Sequence, residues 1–503
     1  MIWPWKKNNR KLKTEMLEQK PQDIKELFKN MEESDDFSHF KHHQDSMSCW
    51  VSFYKTIVGL KAVHEEILPY VFKKDVKSIK DIMGNLPIED PLLTRDIRQI
   101  QDKMMQGHVA IQMKEDDPEC LLIPAPSTEN RQVTNPETET SIVGPKEGFV
   151  ESLDTNIDLV RKRLPLPNLY LKETKVGKLS KTRVAIIYIK GIANQENVNT
   201  IWQRIKDIEF DQIVDSSMIS QIITDNQHSP FPQFIDTERP DRTASTIAEG
   251  KIAVLVDGSP HAVIVPTTIV DFFISFDDYF MPWHIASCFR LIRLVAVTFS
   301  VFSSPLYVAI LTYHYEVIPR DLLATLVSSR AIIPFPPIFE ALIMELTIEM
   351  LREAGARLPT KVGQTIGIVG GLVIGTASVQ AGVASNVLLI ICAMAALASF
   401  TTPNYRMGNT IRLIRFPFLL AAQLWGLIGI SLCFGFYLSH LLKLTSLGRP
   451  YIEPFFPPRF NDLKDTFIRL PINKQITRPL FLRPEDPMRM NKSRSQKKKD
   501  IDE

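Results

Sequence analysis

The sequence predicts an α/β soluble N-terminal domain of two subdomains, the first mostly helical, followed by an α-helical multi-pass membrane domain. Three observations predict it. At 503 residues the chain is too long for one compact unit. Its polar first half gives way near Leu291 to a strongly apolar stretch, and strand-like and helix-like patterns alternate just before that change. Lys plus Arg (59) nearly balance Asp plus Glu (57), so net charge points to neither nucleic acid nor an acidic ligand. The five cysteines, Cys49, Cys120, Cys288, Cys392 and Cys433, are scattered and never form a CxxC pair, which predicts neither a disulfide framework nor a zinc site.

Residues 1–48 read as a polar N-terminal arm. Its start, "MIWPWKKNNRKLKTEM", lacks the apolar run of about 7–15 residues that a secretory signal needs, so this end is expected to stay in the cytoplasm. His42 and His43 read as a surface pair rather than a metal site. Residues 49–130 form the helical subdomain, because apolar positions in "VSFYKTIVGLKAVHEEILPYVF" recur at helical spacing. The stretch 124–141, "PAPSTENRQVTNPETETS", has the composition of a hinge.

Residues 142–283 form the α/β subdomain. "TRVAIIYIKGI" (182–192) is a strand, and Val198, Ile201, Trp202, Ile205 and Ile208 share one face of the helix that follows. "KIAVLVDGSPHAVIVP" (251–266) reads as two strands joined at an Asp-Gly turn.

Residues 284–442 form the membrane domain. "ASCFRLIRLVAVTFSVFSSPLYVAILTY" (286–313) is long enough to cross about 30 Å of hydrocarbon, with its arginines near the start where they can snorkel. Further apolar candidates lie at about 334–352, 363–382, 384–402 and 414–441. Residues 443–503 are a basic tail ending in "NKSRSQKKKD". Five full crossings from the inside would leave this tail outside, against the positive-inside bias. The acid-bearing segment is the most amphipathic, and is therefore the first candidate for an interfacial or re-entrant element.

That segment, "PFPPIFEALIMELTIEMLREAGARLP" (334–359), places Glu345, Glu349 and Glu353 within about 80° of one helical face, while Glu340 points elsewhere. Arg352 and Arg357 lie close enough to neutralise part of the charge. Such a stripe suits the vestibule of a cation path, or equally an amphipathic face meeting headgroup water or a basic partner subunit.

In the next segment Gly367, Gly371, Gly375, Ser378 and Gly382 share a narrow face where another backbone can approach closely. Thr365, Val369, Val373, Thr376 and Gln380 lie opposite, a mixture suited to a water-filled lumen, with Val369 and Val373 as an apolar constriction. Ordinary packing within a bundle is the other reading of this helix.

Nothing predicts an enzyme. "GIVGGLVIG" is not GxGxxG and follows no soluble strand, and GxxxxGK[ST], HExxH, GxSxG and EF-hand patterns are absent. Asp241, Asp257 and His261 can be drawn as a triad, but no spacing selects them. No catalytic residue, metal ligand or cofactor is expected.

Several stretches resemble the A subunit of the spore germinant receptor family, the GerA type of endospore-forming bacteria. They are "GPKEGFVESLDTNIDLVRKRL" (144–164), "TERPD" (237–241), "VDGSPHAVIVP" (256–266), "FDDYF" (276–280), the acid-bearing segment, "GQTIGIVGGLVIGTASVQAGVAS" (363–385), "TTPNYRMGNTIRLIRF" (401–416) and "DLKDTFIRLP" (462–471). They run in order over about 330 residues. The resemblance implies a cytoplasmic α/β domain and a membrane domain in the spore inner membrane. It also implies assembly with a transporter-like B subunit that holds the nutrient and a lipoprotein C subunit. In the family's models, A subunits form a homo-oligomeric ring around a cation pore that opens when nutrient binds, and the Gly-rich segment matches the part assigned to that pore. A non-conducting scaffold that positions the B subunit, or the related stage V sporulation membrane protein, is the alternative.

Overall fold

The structure is a computed structural model that describes residues 21, 23–44, 47–72, 78–88, 90–127, 135–137, 139, 143–459 and 462–490. Most of the N-terminal arm, part of the 124–141 hinge and the basic "NKSRSQKKKD" stretch therefore lie outside the described residues.

The first subdomain corrects the expectation of a mostly helical unit. It is organised by a five-stranded antiparallel sheet of β1 (Phe37–Gln44), β2 (Met47–Tyr54), β3 (Leu92–Thr94), β4 (His108–Gln112) and β5 (Cys120–Pro124), in the order β1-β2-β4-β5-β3. Helices α1 (Ile24–Met31), α2 (Leu68–Val71), α3 (Ile79–Asn85) and α4 (Ile97–Met105) cover it. The reason is two-sided burial. Val109, Ile111, Leu121 and Ile123 enter one core, while Ala110, Cys120 and Leu122 enter the other. A strand covered on both faces loses its period-two polarity and is easily taken for helix. The sheet also begins inside the expected arm, and His42 of β1 packs on Phe72 rather than standing free.

The second subdomain has the expected α/β character. Its sheet runs β6-β7-β9-β10-β8, with β6 (Leu169–Val176), β7 (Thr182–Ile189), β8 (Ile235–Thr237), β9 (Ile252–Val256) and β10 (Ala262–Val265), all antiparallel. The β9–β10 hairpin turns at the Asp257-Gly258 pair. Helices α5 (Leu153–Arg163) and α8 (Pro240–Glu249) pack on one face, and α6 (Gln195–Lys206) and α7 (Ser216–Ile223) on the other. Val198, Ile201 and Ile205 are buried as the spacing predicts, with Trp202 and Ile208 partly buried beside them. A bidentate pair joins the subdomains: Arg161 of α5 donates to both oxygens of buried Asp36 at 2.7 Å.

The apolar half is a bundle of α9 (Trp283–Tyr313), α10 (Arg320–Arg330), α11 (Pro337–Arg357), α12 (Thr360–Gln380), α13 (Asn386–Ser399) and α14 (Tyr405–Lys443). Among the described residues two helices, α9 and α14, are long and apolar enough to cross a membrane, and α13 is a shorter apolar helix.

α14 is not one rod. Trp425 and Gly426 leave helical geometry, with Gly426 at φ +58° and ψ −136°, a combination open in practice only to glycine. The chain folds back there: Gly429 comes against the Ala421 carbonyl, and Phe418 stacks on Tyr437 with ring centroids 5.7 Å apart. Each arm of 17 to 20 residues is about 26–30 Å long at 1.5 Å per residue. Both open ends meet the α/β domain, where Thr410 donates to the Pro230 carbonyl (2.6 Å) and His440 bonds Ser229 (2.9 Å). The turn sits at the far end, where the Tyr313 hydroxyl donates to the Gln423 carbonyl (2.9 Å).

The tail therefore returns to the side from which the bundle started. Tyr451 is fully buried against the α/β domain, its hydroxyl donating to the Pro232 carbonyl (2.7 Å), and Arg478 donates to the Ala248 carbonyl (3.0 Å). The last of the five apolar runs read from the sequence is two antiparallel arms. The acid-bearing helix α11, offered as the interfacial element, instead packs lengthwise among α9, α12, α13 and α14.

Candidate functional site

α12 leaves α11 through a tight Leu358-Pro359 turn and runs antiparallel to it. A methyl group at Gly363 would meet the Gly355 carbonyl oxygen at 2.8 Å, and one at Gly370 would meet Leu351 at 3.0 Å. Gly370 thus makes the close approach to α11, and it stood outside the predicted ridge. Within that ridge the residues part company. Gly375 packs against Leu389 of α13 (3.7 Å for an added methyl), whereas Gly371 opens onto nothing within 4 Å. The Ser378 carbonyl accepts from Val383 (2.8 Å). Gly382, expected on the packing face, lies past the last turn at φ +66° and ends the helix; only glycine takes this left-handed position without strain.

On the opposite side, Val373, Thr376 and Gln380 are exposed, Val373 to 56%, and Leu372 beside them to 66%. The Thr376 hydroxyl donates back to the Leu372 carbonyl (2.8 Å), which satisfies it without a partner from another helix. Thr365, Gly367 and Val369 lie within α12, but their side chains are outside the described residues.

The acidic stripe of α11 is corrected more sharply. Glu345 faces neither water nor an ion path: it is 1% exposed, ion-paired with Arg415 of α14, and accepts from the Ser304 hydroxyl of α9 (2.6 Å). Arg415 also donates to Ser300 (2.8 Å). A carboxylate cannot be left alone in an apolar bundle, so a guanidinium and the Ser304 hydroxyl bind this one, and the Ser300 hydroxyl holds the guanidinium in turn.

Glu349 is paired with Arg352, and Glu353 with Arg357 (2.6 Å), the neutralisation that the sequence suggested. Only Glu353 of the three is exposed. Glu340, set aside as pointing elsewhere, is fully buried. It bonds Arg330 (2.8 Å) and caps α13 by accepting from the Ser385 amide (3.3 Å). Glu340 and Glu345 thus fasten α11 to α9, α10, α13 and α14, whereas Glu349 and Glu353 pair within α11.

A second constellation joins the bundle to the α/β domain. Asp236 of β8 meets Arg406 at the start of α14 (2.7 Å). Burial raises the Asp236 carboxyl to about 6, although Arg406 and His261 pull it down. His261 in turn pairs with Glu238 (3.2 Å), which raises its pKa. At the head of α9, Asp278 receives Arg290 (3.1 Å) and Arg293 (3.2 Å), and Arg290 also holds Asp465 of the tail (2.9 Å). Both long helices are therefore gripped by the α/β domain through ion pairs.

Composition alone could not select the partners in Asp236–Arg406, Arg290–Asp465 and Glu345–Arg415, since each of these pairs bridges residues 70 or more positions apart. The one available signal was the presence of Arg412 and Arg415 in an otherwise apolar run. Asp241, Asp257 and His261 are not brought together: Asp241 pairs with Arg239, and Asp257 accepts from the Leu153 amide. No group of three or more His, Cys, Asp or Glu side chains able to hold a metal ion occurs among the described residues.

Comparison with known proteins decides the family. A model described as Bacillus/Clostridium GerA spore germination protein matches residues 22–481. The chain belongs to the GerA family. It is 51% identical over 476 residues to the spore germination protein GerQA of Bacillus cereus, covering 95% of both chains. It is 45% identical to GerIA of Bacillus cereus, over 92% of this chain and 69% of that one. It is 36% identical to spore germination protein KA of Bacillus subtilis, over 92% and 87%. Among solved structures, the N-terminal domain of the A subunit of the Bacillus megaterium spore germinant receptor GerK3 matches with 27% identity and a TM-score of 0.37, covering 48% of this chain and 91% of that one. In GerA terms, the glycine-rich helix, the acid-bearing helix and the ion pairs at the domain junction all fall inside the matched region.

Proposed function

We propose that this GerA-family chain is the A subunit of a nutrient-sensing germinant receptor in the spore inner membrane, and that copies of it form a ring around a ligand-gated cation path. A transporter-like B subunit would hold the nutrient and a lipoprotein C subunit would complete the receptor. The α/β domain lies on the cytoplasmic side in this reading. α9, α11, α12, α13 and the two arms of α14 make six crossings, which returns the basic tail to the cytoplasm as the positive-inside bias requires. Arg290, Arg293, Arg406, Lys443 and Arg449 then sit on that side, with Arg320 and Arg330 on the other.

One observation carries the proposal: α12 packs mainly on α11, and its remaining surface presents Val373, Thr376 and Gln380 outward. A face of that composition is poor against lipid and suited to a narrow wettable hole formed with neighbouring copies. Nutrient bound elsewhere opens the ring only by favouring the open state over the closed one, so the ion-paired junction between α/β domain and bundle acts as the coupling element. Replacing Val373 with Ala tests this. Spores carrying the variant at parental abundance should release cations and germinate without nutrient, and spores as quiet as the parent would show that Val373 is no gate.

The full neutralisation of the α11 acids favours a second reading, a scaffold that positions the B subunit and conducts nothing. Purified chain in liposomes that stays silent even with an altered α12 stripe would decide for it.

A further inference from the structure

At the end of the bundle that faces the α/β domain, the start of α14 and the last turns of α11 and α13 enclose a cavity of about 320 Å³. Arg352, Phe400, Thr402, Tyr405, Gly408 and Arg412 line it, together with Glu353. Its charge does not balance. Arg352 takes Glu349 and also donates to the Asn409 side-chain oxygen (3.1 Å), and Arg412 shares that same oxygen. Glu349 stands 3.9 Å from the Arg412 Nε, beyond hydrogen-bond reach, and Glu353 is occupied by Arg357. Two guanidiniums thus face one carboxylate.

Two buried polar atoms in the cavity wall also lack partners: the Nε of Arg412, a residue 7% exposed, and the hydroxyl of Thr402, 9% exposed. Burying a cation with an unmade hydrogen bond is costly unless an acceptor arrives. The N-terminus of α14 opens on the same space, and its dipole favours an anion there.

We infer that this cavity is a binding site for a phosphate-bearing anion, namely the phosphodiester headgroup of an anionic lipid in the leaflet next to the α/β domain. The lipid source rests on the membrane reading proposed above. The site is cytoplasmic in that reading, at headgroup depth, with Phe400 and Tyr405 where aromatic side chains favour the interface. Charge-assisted bonds from Arg412 and Arg352 would hold the phosphate oxygens, and Thr402 would donate the third. Gly408 keeps the space open: a methyl there would come no nearer than 3.9 Å to Arg412 or Thr402, while a larger side chain would fill the cavity.

The test uses the full chain purified from membranes in mild detergent, as parent, Arg412→Gln and Gly408→Leu. The leucine variant blocks the cavity and keeps both arginines, which guards against an effect of lost charge on folding. Phospholipid retained through delipidation is measured by mass spectrometry, and the melting temperature is followed with added inorganic phosphate. Retained anionic phospholipid should fall about tenfold in both variants, the loss expected for one charge-assisted contact. Stabilisation by inorganic phosphate, lost in both variants and without lipid retention in the parent, would keep the anion site but overturn its lipid source. Equal retention and equal response to phosphate in all three proteins would overturn the site. Alkaline washing of the membranes separates this from the parent reading: release of the chain would mean that the membrane assignment fails, whereas a firmly held chain with unchanged lipid would mean that only the cavity fails.

Discussion

Glu345 of α11 and Arg415 of α14 form an ion pair in the middle of the bundle with both side chains at most 2% exposed, 70 positions apart in sequence. Ser304 of α9 donates to Glu345 and Arg415 donates to Ser300 of α9, which leaves the Arg415 Nε without a partner. Three helices therefore converge on one pair of charges.

Breaking that pair from one side strands a buried charge, at a cost of about 3–5 kcal/mol, while replacing both partners with apolar groups of similar size is far milder. Glu345→Met and Arg415→Met should each abolish accumulation of the folded chain or lower its melting temperature steeply. The double variant should recover much of the loss. Thermal unfolding in detergent measures this, and a double variant that melts below both single ones would contradict the pairing.

The junction between β8 and α14 should loosen as pH rises. Asp236 has a folded pKa of about 6, above the unfolded value of about 3.9. The folded state therefore binds more protons than the unfolded one between those values, and stability falls as pH climbs through the interval. His261, raised by Glu238, adds a contribution present below about 6.5 and lost as pH rises through its raised folded value. Parent protein should thus melt at a higher temperature at pH 5 than at pH 8. Asp236→Asn should flatten the first part of that slope, since Arg406 is exposed enough to turn to water. An unchanged slope would remove Asp236 as its source.

Much of this architecture was legible because one-sided burial writes a period into the sequence. The helix through Val198, Ile201 and Ile205, the strand at Val184 to Ile189 and the Asp257-Gly258 hairpin all stand where pattern and turn chemistry put them. β4 and β5 were hidden because both of their faces are covered, leaving no alternation to read. The fold-back at Trp425 and Gly426 was hidden because neither residue interrupts an apolar run. The acids of α11 could be placed on a face from spacing alone, and the arginines of Glu349 and Glu353 lie on the same helix, but those of Glu340 and Glu345 lie on others, and only the tertiary contact distinguishes a water-facing carboxylate from a buried pair.

Gly426 is the residue on which the fold-back depends. Its backbone conformation is strained for any L side chain, and an added methyl would come 2.8 Å from the His314 ring. Gly426→Ala should cost about 1–3 kcal/mol, most of it backbone strain. Removing the ring as well, in a Gly426→Ala and His314→Ala double variant, should restore little. Full recovery in that double variant would mean that the clash and not the backbone governs the turn.

The most discriminating prediction concerns sidedness, because the fold-back changes the parity of the chain path. A single last crossing would place the tail opposite the α/β domain, whereas two arms place it alongside, where Arg290 already holds Asp465 and Arg478 reaches the Ala248 carbonyl. Three variants that each add one cysteine, in a background with exposed Cys288 and half-buried Cys433 replaced by serine, separate the two: Lys178→Cys on the α/β domain, Glu485→Cys on the tail and Glu316→Cys beyond the far end of α9. An impermeant thiol reagent added outside sealed cells should label the cysteine at position 316 and leave those at 178 and 485 untouched until the membrane is opened. Labelling at both 316 and 485 would break the six-crossing path, and with it the assignment of the basic tail to the cytoplasm. Labelling at 178 together with 485, but not at 316, would keep the fold-back and invert the whole bundle. The ion pairs at the domain junction allow only the outcomes in which 178 and 485 behave alike, so a split between those two positions would contradict the fold itself.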